Sequence, residues 1–247
     1  MRLLLYNIRY GVGNGSSSAV PLPGARYLFA EAAELDRIIK FIGSHNPDIV
    51  GLVEVDTGSM RSNRINQAEV IAKSLGHYSC YQSKYGEASY NQRLPIVRKQ
   101  VNAFLASPQV HGERFHYFDT GIKRLIIELE LDDVAIFLVH LSIKYRHRQM
   151  QLRRLHELIS ICKKPVIVAG DFNTFWGADE IYLFMKASGL RNANVAGEPT
   201  YPTRSPRFEL DFILCSERIQ VNSFSIPKVS FSDHLPLICD FQVRKDE

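Results

Sequence analysis

Short apolar runs recur along the chain, each bounded by Gly, Pro, Asp or Asn: LLLYNI, DIVGLVEV, LIIELEL, VAIFLVHLS, PVIVAGDF, LDFILCS and LPLICDFQV. Their length and their Val, Ile, Leu and Phe content read as β-strands, several buried on both faces. LIIELELDDVAIFLVHL reads as a hairpin turning at Asp132 and Asp133. Between these runs the apolar period becomes helical. Residues 28–43 place Leu28, Ala32, Leu35, Ile38, Ile39 and Ile42 on one stripe, with Gly43 as terminator. Residues 66–75 predict a shorter helix ending near Gly76. Residues 147–161 put Met150, Leu152, Leu155, Leu158 and Ile159 on one face, and residues 178–188 predict a helix after GDFNT. The helices are separated by several strands rather than alternating with them. That order suits an α/β architecture of layered sheet with helices outside. Gly11 to Ala25 reads as a long loop after the first strand, and no linker divides the chain, so one domain over 1–247 is expected.

The ends of the apolar runs carry the chemistry. LLLYN ends in Asn7, DIVGLVE in Glu54, VAIFLVH in His140, and PVIVAGDFN in Asp171 and Asn173; Asp211 opens LDFIL, and Asp233 and His234 stand in SDHLPLI. Burying a charge without a partner costs several kcal/mol, so polar groups at strand ends are expected to share one cleft at the edge of the core. Singly, each has an ordinary alternative: Asn7 as a turn cap, Glu54 as a strand-end acid, His140 as a satisfied core histidine. Together they form an oxygen-rich donor set without a nucleophilic Ser or Cys pattern. Such donors suit Mg²⁺, Mn²⁺ or Ca²⁺. The set points to metal-assisted attack by water on a phosphorus ester.

Composition narrows this only slightly. An apolar content of 45% and a charged content of 23% are ordinary for a water-soluble globular chain. A formal net charge of +4 permits an anionic substrate but is too weak to indicate nucleic-acid binding by itself. Cys80, Cys162, Cys215 and Cys239 form no metal-ligand spacing and read as free, small core residues in a reducing compartment. The apolar run in MRLLLYNIRYG is too short for a signal-peptide core, and no run approaches a membrane span, so a cytoplasmic monomer is expected.

Taken in order, YNIR, LVEV, HLS, GDFN, LDFIL and SDHLPL resemble the endonuclease/exonuclease/phosphatase superfamily, whose members include deoxyribonuclease I. The resemblance runs from Asn7 to His234 and implies a four-layer α/β/β/α sandwich of two packed mixed sheets flanked by helices. It further implies Glu54 as principal metal ligand with Asn7 beside it, and Asp233 as holder of a second ion. Asp171 would orient or deprotonate the attacking water, and Asn173 would bind the scissile phosphate. His234 would contact that phosphate, oriented by Asp211, distant in sequence, rather than by the adjacent Asp233. His140 would be the second histidine of the deoxyribonuclease and sphingomyelinase branches.

Other features bear on substrate. The segment YNQRLPIVRKQ departs from the family pattern and keeps only LPI, leaving Arg93 as either a phosphate contact or a solvated arginine. The R-x-x-Q of Arg148 to Gln151 and PTYPTRSPRFELDFIL resemble a small bacterial metal-dependent hydrolase branch. Lys144, Arg146, His147 and Arg148 offer either a second anion site or a solvated helix start. Trp176 either leans over substrate or packs. Val20, Leu22, Tyr27 and Phe29 either meet a lipid or bulky alcohol or begin the first helix. The leading expectation is a divalent-metal-dependent phosphohydrolase, acting on a phosphodiester of a small or lipid-linked substrate. A nuclease and a non-catalytic binding module on the same fold are the alternatives.

Overall fold

A computed structural model describes residues 1–14, 32–83, 96–107 and 112–244. Its elements run β1 (Arg2–Asn7), α1 (Ala32–Ser44), β2 (Ile49–Asp56), α2 (Gln67–Leu75), β3 (Tyr78–Ser83), β4 (Gln100–Ala106), β5 (Gly112–Tyr117), β6 (Leu125–Glu130), β7 (Ala135–His140), α3 (Tyr145–Ser160), β8 (Val166–Asp171), α4 (Tyr182–Ala187), β9 (Leu190–Asn192), β10 (Asp211–Ser216), β11 (Ile219–Ser225) and β12 (Leu237–Val243). The strands form two six-stranded sheets, ordered β11-β12-β1-β2-β4-β3 and β5-β6-β7-β8-β10-β9. Each has one parallel pair near its centre, β1 with β2 and β7 with β8, and is otherwise antiparallel.

The period-2 alternation of each strand explains the layers. Leu3 and Leu5 of β1 point inward with Val53 and Phe104 to meet Ile127, Leu138, Ile167 and Ile213 of the second sheet. Leu4 and Tyr6 point outward, and with Leu52 they pack on Ile38 and Ile42 of α1 and Ile71 of α2. On the far side Phe137, Val168 and Phe212 pack on Leu152 and Leu155 of α3 and Phe184 of α4. The result is the expected four-layer α/β/β/α sandwich. None of the helices among the described residues is long and apolar enough to cross a membrane.

Several expectations shift. β3, β4, β5, β9 and β11 carry no long aliphatic run and were not legible as strands. The hairpin turns as expected, with the Leu131 amide donating to the Val134 carbonyl at 3.0 Å. Gly43 does not end α1, which continues to Ser44. Gly76 caps α2 with φ 67. The helix expected over 178–188 divides into a tight turn, Ala178–Ile181, and the shorter α4. Met150 is exposed, leaving Leu152, Leu155, Leu158 and Ile159 as the apolar face of α3. All four cysteines are free, and only Cys162 is less than buried. Arg93, Leu28 and the loop residues Val20, Leu22, Tyr27 and Phe29 lie outside the described residues.

Gly170, one residue before the end of β8, has φ 154. A Cβ there would overlap the Val139 carbonyl oxygen, which is backbone and cannot yield. Gly170→Ala is therefore expected to cost at least 4 kcal/mol or abolish folding, a magnitude reserved for enforced steric conflict. Gly76→Ala, where a Cβ meets nothing within 4 Å, is expected to cost about 1–2 kcal/mol from left-handed strain alone. Urea denaturation of the two variants measures the difference.

Candidate active site

The second sheet aligns three functional side chains in one row. His140 pairs with Asp171 across β7 and β8, and Asp171 pairs with Asp211 across β8 and β10. Each lies two residues from an inward-facing apolar neighbour, Leu138, Ala169 or Ile213. Period-2 alternation therefore turns all three toward the space between the sheets. Asn7, two residues beyond inward-facing Leu5, arrives from the first sheet by the same logic. Its Nδ2 donates to Asp171 Oδ2 at 3.1 Å, joining the two sheets at this end.

Glu54 reaches the site by a different device. In regular β2 it would follow Val50 and Leu52 to the outer, helix-covered face. The β2–β4 register shifts between Leu52 and Val55, and Glu54 takes φ 57. This bulge re-aims the side chain. Glu54 Oε1 ends 3.9 Å from His140 Nε2 and 3.8 Å from Lys123 Nζ. Asn173 also adopts a left-handed conformation, φ 54, as Asn tolerates better than most residues. Its amide N–H donates to Asp171 Oδ1 at 3.0 Å, and its Nδ2 donates to the Leu141 carbonyl at 2.9 Å.

The SDH segment closes the group. His234 Nδ1 pairs with Asp211 Oδ2 at 2.8 Å, the distant partner rather than the adjacent Asp233. Thr200 Oγ1 donates to the same Asp211 oxygen at 2.7 Å. His234 Nε2 lies 4.0 Å from Asp171 Oδ2, and His140 Nε2 lies 3.2 Å from that oxygen. The Tyr201 ring leans on His234, with centroids 4.8 Å apart. Asp233 faces Arg9 Nε at 3.3 Å.

Burial and charge give the two histidines opposite characters. Burial opposes the charge of His234, but Asp211 first, then Asp171 and Asp233, outweigh it and raise its pKa to about 10. Burial and then the Lys123 ammonium lower His140 to about 4, so its imidazole is neutral. Burial disfavours the Asp171 carboxylate, yet His140 first, then His234 and Lys123, hold its pKa below the usual range. Burial, with Glu54 adding repulsion, raises Asp233 against the pull of His234 and Arg9.

The donor set fits a hard cation. Glu54 and Asp233 reach water, their side chains 18% and 21% exposed, whereas Asp171 and Asp211 are sealed at 3% and 1%. An ion that keeps part of its hydration shell suits the first pair, with the Asn7 carbonyl. Ligand atoms of Asp171, Asp211 and His234 also lie within 4.8 Å of one another. That trio is committed to internal hydrogen bonds, although Asp211 Oδ1 is buried without a partner among the described residues.

Other expected residues fall differently. Lys144 is exposed at the start of α3. Trp176 is 75% exposed, its ring free of the core. Arg148 does not fit a substrate role. It is fully buried, donates to the Ser142 and Ile143 carbonyls at 2.8 Å each, and pairs with Glu180. Lys123, Arg9, Tyr201 and Thr200 were not singled out as site residues. Arg9 and Tyr201 stand inside quoted motifs, but Lys123 follows a turn with no distinguishing pattern.

A family model described as Endonuclease/Exonuclease/phosphatase family matches residues 4–234. The chain belongs to that family. Members of the Endonuclease/Exonuclease/phosphatase family are phosphoester hydrolases, phosphatases and nucleases among them. An uncharacterized Escherichia coli protein, YbhP, is 29% identical over 119 residues, 44% of this chain and 47% of that one. The chain thus spans about half the length of that curated relative. Among solved structures, a Bacteroides thetaiotaomicron mannosyl-6-phosphatase superimposes with TM-score 0.73 at 15% identity, covering 98% of this chain and 99% of that one. The human Nocturnin catalytic domain with bound sulfate gives 0.72 at 22% identity, covering 98% and 94%. These likenesses confirm the family's two-sheet fold.

In metal-free protein the His234 charge stabilises the fold fully below its ordinary value of about 6.5, and that contribution is lost as pH rises through about 10. NMR titration in EDTA is expected to find His234 still protonated at pH 8. Asp211→Asn is expected to move its midpoint down, while a wild-type midpoint near 6.5 would contradict the pairing.

Proposed function

We propose that this chain is a divalent-metal-dependent hydrolase that cleaves a phosphodiester of a small or lipid-linked substrate by attack of water. The observation that carries the reading is the Asp171 carboxylate at the strand ends where the two sheets meet, with Asn7 Nδ2 at 3.1 Å, His140 Nε2 at 3.2 Å and His234 Nε2 at 4.0 Å from its Oδ2. Asp171 orients or deprotonates the attacking water, and a positioned general base is worth about 10²–10⁴-fold. The His234 imidazolium faces the phosphoryl oxygens as charge builds on them, and Asp211 fixes its tautomer through Nδ1. Asn173 holds the Asp171 turn through its backbone N–H, and its side chain is proposed to bind the scissile phosphate. His140 Nε2 lies beside Asp171 Oδ2 at 3.2 Å on the opposite flank.

Glu54, Asn7 and Asp233 would hold the cation, Mg²⁺ or Mn²⁺, with Ca²⁺ as a further candidate. When bound, it supplies Lewis-acid stabilisation of phosphoryl charge. The Glu54–Asp233 repulsion supports this placement, since a cation relieves it. The formal net charge of +4 supports small esters over a long nucleic-acid backbone. Trp176 and Lys144 stand exposed near the strand ends and are proposed to meet the alcohol portion of the substrate.

The test is a substrate panel of phosphomonoesters, phosphodiesters, phospholipid head groups and DNA, each with Mg²⁺, Mn²⁺ or Ca²⁺. Turnover of a diester should vanish in EDTA and return with metal. Asp171→Asn should reduce kcat by about 10²–10⁴-fold with little change in folding. Full activity of that variant would remove Asp171 from the chemistry, and preferential cleavage of DNA with steep salt dependence would favour a nuclease.

A further inference from the structure

Lys123 stands in the segment joining β5 to β6. Its ammonium donates to His140 Nε2 and lies 3.8 Å from Glu54 Oε1, with 19% of the side chain exposed. Holding a lysine this enclosed costs rotamer freedom besides desolvation. A lysine serving only to neutralise Glu54 would be expected to hydrogen-bond that carboxylate. Here its described hydrogen bond goes to His140 Nε2, the nearest Glu54 oxygen lies 3.8 Å away, and part of the side chain reaches water. Arg9, whose guanidinium lies 3.3 Å from Asp233, is a second cation among the site residues.

The backbone that carries Lys123 is held by one buried side chain. Gln151 of α3 is fully buried, one turn after the buried Arg148 and beside the apolar Leu152 and Leu155. Its Oε1 accepts from the Ser142 amide at 2.8 Å, which fixes the chain just beyond His140. Its Nε2 donates to the Thr120 carbonyl at 3.0 Å and the Lys123 carbonyl at 2.8 Å. Gly121 has φ 90, and a Cβ there would approach Gln151 Nε2 to 2.8 Å. The segment is thus shaped to close on this amide. One glutamine sets the spacing between the His140 strand end and the Lys123 segment.

We propose that Lys123 binds a non-bridging phosphoryl oxygen of the substrate, and that Gln151 is the positioning residue that aims it. This rests on the phosphoester reading above and adds a residue that no motif marked.

The experiment measures inorganic phosphate binding to the Mg²⁺-loaded chain by calorimetry, alongside diester turnover. Lys123→Met is expected to weaken phosphate binding by roughly 10- to 100-fold, the range of a charge-assisted contact. Lys123→Arg should recover part of the loss. Gln151→Leu should weaken phosphate binding in the wild-type background but add little to Lys123→Met. That non-additivity would not follow from general destabilisation. Thermal unfolding identifies which variants are folded, and Lys123→Arg keeps the test available if Lys123→Met is not. Unchanged phosphate affinity in folded Lys123→Met, or no phosphate binding by wild type, overturns the proposal. Phosphate binding that depends on Lys123 without turnover of any ester would instead overturn the hydrolase reading and leave this one standing.

Discussion

A sealed negative charge organises this molecule. Asp171 lies at the end of a fully buried strand, 3% exposed, where an uncompensated carboxylate would cost several kcal/mol. Its compensation comes from every side. Asn7 reaches it from the opposite sheet, the Asn173 amide from its own turn, His140 from β7 and His234 from the closing loop. The partners need partners in turn: Asp211 for His234, Thr200 for Asp211, Lys123 for His140. The polar end of the sandwich is one connected network because no member of it could be buried alone.

That network demands backbone geometry regular strands do not supply. The bulge at Glu54 and the left-handed turn at Asn173 each hold a non-glycine residue at positive φ. Such conformations cost of order 1–3 kcal/mol and persist where the surroundings fix them. Near Glu54, the ion pair of Asp56 with Arg61 supplies that fixing. Both side chains are fully buried, Arg61 stacks over Tyr10 at 4.0 Å, and Gln67 links the Asp56 amide to the Tyr10 carbonyl. Strain at the site is thereby offset by packing one layer behind it.

The layers were readable from the chain because they follow apolar periodicity. The strand-end rule gathered Asn7, His140, Asp171 and Asp211 at one end of the sandwich, since alternation continues the inward face through the terminal residues of each strand. Glu54 also joined the group, although only the bulge turns it inward, and no sequence period announces a bulge. Arg148 misled for the opposite reason. A basic run looks solvated, yet one of its members turns under the helix to cap carbonyls. Lys123 was invisible because its importance lies in a contact across 17 residues that neither composition nor spacing encodes. The strands β3, β5 and β11, with mixed polar sequences, become strands only because a neighbouring strand offers them a ladder.

In the proposed reaction, water held by Asp171 attacks phosphorus at this end of the sandwich. The most direct measurement is hydrolysis of a phosphodiester in ¹⁸O-labelled water with Mg²⁺, followed by mass spectrometry of both products. We expect one label in the phosphorus-containing product and none in the released alcohol, with the labelled product lost in Asp171→Asn. Label in the alcohol, or undiminished labelling in that variant, would contradict the account.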